Sequence, residues 1–308
     1  MKHKNFANDG FAIWLERDKK QCDVHINEWL MPSKEVFFID FGIRVNLEGS
    51  SNKIMVYVPF CVLKDEISDL YEYLTDEDTF RGIFNANCEI KEIVTDKISE
   101  IKYNDRKENI IRLSSLNICS KKYCEGSLIS FDTEQIFNKL TTQEIYFRFR
   151  IEHKTLKDLF THKTQIGTSL FESPVIKYQY YYFMKINEKR ALPEKIVHNS
   201  IFDHNIINKI IVTIFCEGIY DVDDKECYKI RLLEKKLHEN YAPPHFNCED
   251  VIVYQWYNNS RSNYNFNFVI SNKSISKMSL FIYTVIAIVF SAVGSAVVQF
   301  ISKLFFRG

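Results

Sequence analysis

Residues 278–302 contain no charged side chain, and the stretch 281–290 is built only of Phe, Ile, Tyr, Thr, Val and Ala. An α-helix rises ~1.5 Å per residue, so about 20 apolar residues cover the ~30 Å of a bilayer's hydrocarbon. The 25 residues of this run exceed that length, and it is closed by Lys277 on one side and by Lys303 and Arg307 on the other. Whatever precedes such a run must fold as a separate body on a membrane span. The layout expected is a body over 1–272, a polar hinge over 273–277, a transmembrane helix over 278–302 and a short tail over 303–308.

A body of this length suits one large domain or two ordinary ones, and polar breaks near 120–142 mark the place for a subdivision. Forty basic residues balance forty acidic ones, which excludes a global field for wrapping duplex DNA. With 17 Tyr and 25 Phe against nine Gly and six Pro, the composition fits packed strands and not disorder. The cysteines at 22, 61, 88, 119, 124, 216, 227 and 248 form no CxxC pair, so buried reduced thiols are expected. Residues 1–10 lack the apolar core of a secretory signal, which places the body on the cytoplasmic side of the cell (inner) membrane. Lys273 and Lys277 are matched by Lys303 and Arg307, so flanking charge does not set orientation.

Strand signals dominate the body. Residues 35–45 and 53–60 read as a hairpin about the turn 48–52, with Gly42 as a bulge. The spacing of Ile67, Leu70, Tyr71 and Leu74 predicts a helix over 63–84, broken or re-capped by the acidic residues 76–78. Further strands are expected at 89–94, 109–116, 144–152, 175–187, 206–216, 250–257 and 263–270. Helices are expected from 132 to 140 and, carrying Cys227, Ile230, Leu233 and Leu237, from 221 to 240. The fold class is α+β: a β-rich cytosolic body with a single C-terminal transmembrane α-helix.

The apolar run is not uniform. At 100° per residue, Thr284, Ser291, Ser295 and Ser302 share one stripe, with Gln299 about 40° further round and Ala287, Gly294 and Val298 beside them. Small residues permit close helix–helix packing, and hydroxyls can bond to local carbonyls. Alternatively, in a ring of subunits, Thr284, Ser291, Ser295, Gln299 and Ser302 would line a water-filled pore. Self-association is favoured on either account.

In the body, 145–151 alternates so that Tyr146, Arg148 and Arg150 face one side, and 177–185 places Lys177, Gln179, Tyr181 and Lys185 together. If these strands are neighbours, Arg148, Arg150, Lys177, Tyr181 and Lys185 form a surface able to pair with phosphates and stack bases. The plainer reading is a solvated sheet face with acidic cross-strand partners. Signals for catalysis are thin: there is no phosphate loop, HExxH or GxSxG pattern. His245, Cys248, Glu249 and Asp250 lack a second half-site for metal, His198 and His204 flank Asp203 in a loop, and Asp221, Asp223 and Asp224 suit a helix start. No catalytic residue, metal or cofactor is assigned.

In layout, residues 273–308 together with the Arg/Tyr strands resemble the single-pass transmembrane effectors of bacterial antiphage defence, and among them the ion-channel effector of Hailong systems. The resemblance implies a homo-oligomeric channel gated by a nucleotide or short oligonucleotide from a partner nucleotidyltransferase. It carries no functional residue across. The alternatives are a binding or scaffold protein without conduction and a membrane-tethered hydrolase.

Overall fold

The computed structural model describes residues 10–16, 21–31, 36–46, 53–84, 88–93, 98–103, 118–133, 144–152, 162–166, 175–199, 201–202, 206–223, 227–233, 240–259, 264–275 and 277–305. Its first strands are β1 (Ala12–Leu15), β2 (Cys22–Met31), β3 (Val36–Asn46), β4 (Lys53–Val58) and β5 (Ile67–Asp69). Short helices α1 (Tyr71–Leu74) and α2 (Glu77–Phe84) follow, then β6 (Cys88–Ile93), β7 (Ile98–Tyr103), β8 (Ile118–Tyr123), β9 (Gly126–Asp132) and β10 (Glu144–Glu152). Next come β11 (His162–Ile166), β12 (Val175–Ile186), the one-turn helix α3 (Glu194–Val197) and β13 (Ile207–Glu217). The last elements are β14 (Asp221–Asp223), β15 (Lys229–Leu232), β16 (Val251–Asn258), β17 (Tyr264–Ile275) and the long helix α4 (Lys277–Phe305).

Seven strands form one sheet in the order β15-β16-β13-β2-β3-β10-β5, with β13 and β2 parallel and the other pairs antiparallel. Two four-stranded sheets, β1-β4-β9-β8 and β11-β12-β17-β14, share a hydrophobic core with it. Those smaller sheets are stitched together at Phe11, whose N–H donates to Lys185 O and whose carbonyl accepts from Asn187 N–H. The Asn187 side chain completes the join, accepting from Ile13 N at 2.8 Å and donating to Ile13 O at 3.0 Å. β6 and β7 make a separate hairpin.

Strict period-two alternation explains the layering. Val24, Ile26 and Leu30 of β2, Ile39, Phe41 and Ile43 of β3, and Phe147, Phe149 and Ile151 of β10 all point into the shared core. Each such side chain contributes on the order of 1.5–3 kcal/mol by burial, and a slip of one residue would turn them all outward. Phe131 of β9 lies 4.7 Å from Phe147 and 4.8 Å from Phe149, so the segments on either side of 120–142 share this core. Trp256 stacks on Phe268 at 5.1 Å and Phe268 on Tyr182 at 4.2 Å, which ties the seven-stranded sheet to the sheet that carries α4.

One charged group interrupts the core. Glu28, on the inward face of β2, is 1% exposed; its Oε1 accepts from the Tyr182 hydroxyl and its Oε2 has no partner among the described residues. Burial holds its carboxyl well above the usual carboxylate range.

Helix α4 is long and apolar enough to cross a membrane: the most apolar 18-residue stretch within Leu280–Lys303 has a mean hydropathy of 2.3 and is 0% buried. The chain is therefore a β-rich α+β protein with a single such C-terminal helix. The strand before it runs further than its sequence signal: β17 extends to Ile275, and one position separates it from Lys277. Residues 273–275, read as polar hinge, are thus strand, because their backbone pairs with Val175, Ile176 and Lys177 of β12.

Other expectations are corrected. Residues 35–45 and 53–60 are not a hairpin: β3 pairs with β2 and β10, and β4 pairs with β1 and β9 in another sheet. Gly42 is not a bulge, since both registers run through it without a shift. The helix expected over 221–240 gives way to β14 and β15, paired with β17 and β16. The helix over 63–84 starts only at Tyr71 and breaks at Thr75; Asp76 then caps α2, accepting from Thr79 N and Thr79 Oγ1 at 2.8 Å. Cys61, Cys119 and Cys124 are exposed rather than buried. The strand at 109–116 and the helix body at 134–140 lie outside the described residues.

Because burial raises the Glu28 carboxyl well above its unfolded value of 4.5, its contribution to stability is fully present below that pH and lost as pH rises towards the folded value. Glu28→Gln, which keeps a hydrogen-bonding partner for Tyr182 and cannot ionise, is expected to melt higher than the parent at neutral pH. The gap should shrink on acidification, as read by thermal melts across the pH range.

A basic cleft as candidate functional site

The outward face of the seven-stranded sheet carries polar residues on its central strands, aligned in cross-strand rows. Lys209, Asp23, Arg44 and Tyr146 form one row; Ile211, His25, Gly42 and Arg148 the next; Gln255, Thr213, Asn27, Asp40 and Arg150 the third. Beyond the third row the face becomes apolar. Trp29 stacks on its cross-strand neighbour Phe215 at 3.9 Å, and a loop covers them with Tyr241 and Phe246.

Asp40 sits at the border, 0% exposed. Arg150 grips it with two bonds, Nε to Oδ1 at 2.6 Å and an Nη2 bond to Oδ2 at 2.9 Å. The indole N–H of Trp29 (2.9 Å) and the hydroxyl of Tyr241 (2.6 Å) also donate to Oδ2. The Arg150 Nη2 bonds the Tyr241 carbonyl as well, at 3.0 Å, so the covering loop is fastened through both its backbone and its side chain. This buried carboxylate is well satisfied, as one must be to persist away from water.

Past that border the sheet is open. Gly82, Ile83 and Phe84 of α2 form one wall and Lys229 and Arg231 of β15 another, around a cleft of about 620 Å³ floored by Asp23, His25, Asn27, Arg148 and Lys209. That volume lies within the range of ligand pockets, roughly 300–1,000 Å³. Five cationic residues line it, Arg44, Arg148, Lys209, Lys229 and Arg231, against one carboxylate, Asp23. Arg44 is paired with Glu144 at 2.7 Å, and the Lys209 ammonium lies over the Tyr257 ring at 5.1 Å. Burial first, and then Arg148, Lys209 and Arg44, push His25 down to about 3, so its ring is neutral at physiological pH.

Arg148 is unlike the other four. It is 2% exposed and makes no ion pair among the described residues; its Nη1 donates to the Tyr241 hydroxyl at 3.0 Å, and its Nε finds no partner. Gly42 makes room for it: a Cβ at position 42 would meet Arg148 Nε at 2.8 Å and the Tyr146 hydroxyl oxygen at 2.2 Å.

Of the residues singled out from sequence, only Arg148 lines this cleft. Arg150 is committed to Asp40. The condition for the combined surface, that the two strands be neighbours, is not met: β10 lies between β3 and β5, while β12 lies between β11 and β17 in a different sheet. Lys177, Tyr181 and Lys185 therefore stand opposite Lys273, Val269 and Asn265, away from Arg148 and Arg150. His25, Arg44, Lys209, Lys229 and Arg231 were not singled out. The alternation Asp23, His25, Asn27 within an apolar strand is the signal that would have found the floor.

On α4, the Thr284 hydroxyl donates to Leu280 O and that of Ser302 to Gln299 O, both at 2.9 Å. Ser291, Ser295, Gln299, Ala287, Gly294 and Val298 are exposed, and a Cβ at Gly294 would have nothing within 4 Å. Among the described residues no group of His, Cys, Asp and Glu could hold a metal ion. No known family's model matches the chain, and no curated protein matches it in sequence.

Removing the hub should be far worse than removing the rim. Asp40→Ala leaves Arg150 buried without its partner and is expected to cost about 3–5 kcal/mol in denaturant unfolding. Lys229→Ala, on an exposed rim, should stay within about 0.5 kcal/mol of the parent.

Proposed function

We propose that this chain is a membrane effector controlled by a phosphate-bearing ligand: a cytoplasmic body that receives a nucleotide or short oligonucleotide in the basic cleft, joined to a helix that self-associates in the cell membrane and conducts ions. The observation that carries the ligand half is the cleft itself, with five cationic residues facing one carboxylate on a preformed sheet. Guanidinium and ammonium groups bind phosphate through charge-assisted hydrogen bonds, each worth about 1.5–3 kcal/mol. Phe84 and Tyr228, also on its walls, offer rings against which a base can stack.

The membrane half is supported by the junction and by the stripe. A 12-residue strand inside a sheet passes through one position into a 29-residue helix, so displacement of the sheet is transmitted to the helix instead of being absorbed by a linker. Ser291 and Ser295 are hydroxyls at the lipid-exposed surface that make no hydrogen bond among the described residues, a demand that neighbouring copies or lumenal water would meet. The part played in antiphage defence, and the partner nucleotidyltransferase, belong to the same proposal on the strength of layout. A second reading, a membrane-anchored receptor that does not conduct, is favoured by Thr284 and Ser302, whose hydroxyls are satisfied within their own helix.

Two experiments test these halves separately. Fluorescence polarisation with phosphorylated nucleotides and short single strands should give binding that weakens with salt, and the Lys229→Ala, Arg231→Ala double variant should lose about tenfold or more. Absence of binding by the parent at low salt would remove the ligand half. In liposomes, Ser291→Leu with Ser295→Leu is expected to abolish ion flux; equal flux from the variant would leave only the non-conducting receptor.

A further inference from the structure

We infer that the Arg148 guanidinium and the His25 imidazole form a seat at the cleft floor for one phosphoryl oxyanion of the ligand. This rests on the reading that the cleft takes a phosphorylated ligand, and it adds where the decisive charge sits. A guanidinium 2% exposed is costly to keep without a counter-ion, and buried arginines are ordinarily paired. Arg150, two residues away on the same strand face, obeys that rule through Asp40. Arg148 does not: its Nη1 donates to neutral acceptors, the Tyr241 hydroxyl, which itself donates to the already committed Asp40, and the Asn27 side-chain oxygen at 3.2 Å. Its Nε is buried and unpartnered, and the residue lines the cleft. The missing partner is therefore an anion that enters from the cleft.

Glycine at position 42 belongs to the same arrangement. It stands between His25 and Arg148 in one cross-strand row, and its bare Cα lets the guanidinium lie across β3. Asp23 faces His25 from its own strand, Arg44 from β3, Tyr146 and Arg148 from β10, Lys209 from β13 and Phe84 from α2. Three cations, Arg148, Lys209 and Arg44, thus oppose a proton on the ring. An anion bound against Arg148 offsets that repulsion, and the imidazole takes up a proton from solvent to donate a second bond. Affinity for an anion of constant charge consequently rises as pH falls.

The test uses the full chain in detergent with inorganic phosphate and sulfate as probes. Selectively ¹⁵N-labelled histidine, with His25 identified by its loss in His25→Gln, should show a saturable shift of the His25 ring on titration. Sulfate, dianionic throughout, should bind about tenfold more tightly near pH 5 than near pH 7. Arg148→Met removes an uncompensated buried charge, so it should melt no lower than the parent while losing about tenfold or more in affinity. Anion binding with an unmoved His25 resonance and undiminished affinity in Arg148→Met would overturn the seat, leaving the cleft reading intact with the anion at Lys229 and Arg231. If Arg148→Met fails to fold, the His25 resonance of the unaltered protein decides: a saturable shift supports the seat and its absence overturns it. Failure of every phosphorylated nucleotide to bind the parent would instead sink the cleft reading itself. Competition by soluble nucleoside triphosphate assigns the phosphoryl group to a soluble ligand. Competition only by anionic-lipid vesicles retains the seat and overturns the soluble source.

Discussion

One buried carboxylate organises the outer face of the large sheet. Asp40 holds Arg150 across to β10, Trp29 back to β2 and Tyr241 down from the covering loop, four donors from three segments on two oxygens. The loop is seated by that set, and its seating closes the apolar end of the face over Trp29 and Phe215. The polar end has no such cover. The cleft is what remains of a sheet face half of which has been roofed, and its position follows from where Asp40 sits along β3.

That division sets two arginines on one strand to different work. Arg150 is paired, bidentate and structural, and its charge belongs to Asp40. Arg148, one row nearer the opening, reaches the cleft with a guanidinium that no carboxylate among the described residues neutralises. The contrast between the two is a matter of 3.4 Å per residue along a strand, set against a fixed buried anion.

The other face of β2 points into the shared core. Asn27 and His25 line the cleft while Glu28, between them and Trp29 in sequence, meets Tyr182 of β12 through the core. β12 pairs along its whole length with β17, and β17 leads into α4. A continuous set of packed strands therefore runs from the cleft floor to the start of α4, with the Glu28 carboxyl at the interface of the two layers. Such an arrangement suits transmission of a small displacement, since packed strands shift as units rather than deform smoothly.

The sequence by itself determined the long helix, the β-rich class and several strand limits, for a physical reason: each is written in local periodicity. Residues 144–152 alternate cleanly and form β10 over that same range. The stretch 278–302 is uncharged and long enough to cross a membrane, and it is helical. What periodicity leaves open is which strand lies beside which. The segments 35–45 and 53–60 look like a hairpin because they are adjacent and alternating, yet β3 pairs with β2 before it and with distant β10, and β4 with distant β1 and β9, a choice made by the packing of the shared core. Cys227, Ile230 and Leu233 fall at spacings that suit a helix, but pairing with β16 makes residues 229–232 an edge strand. The pairing of Arg150 with Asp40 and the placing of Arg148 in one row with His25 and Gly42 at the cleft floor depend on rows drawn across several strands. Only the tertiary structure decides such rows, because cross-strand contacts join residues whose separation in sequence carries no periodic trace.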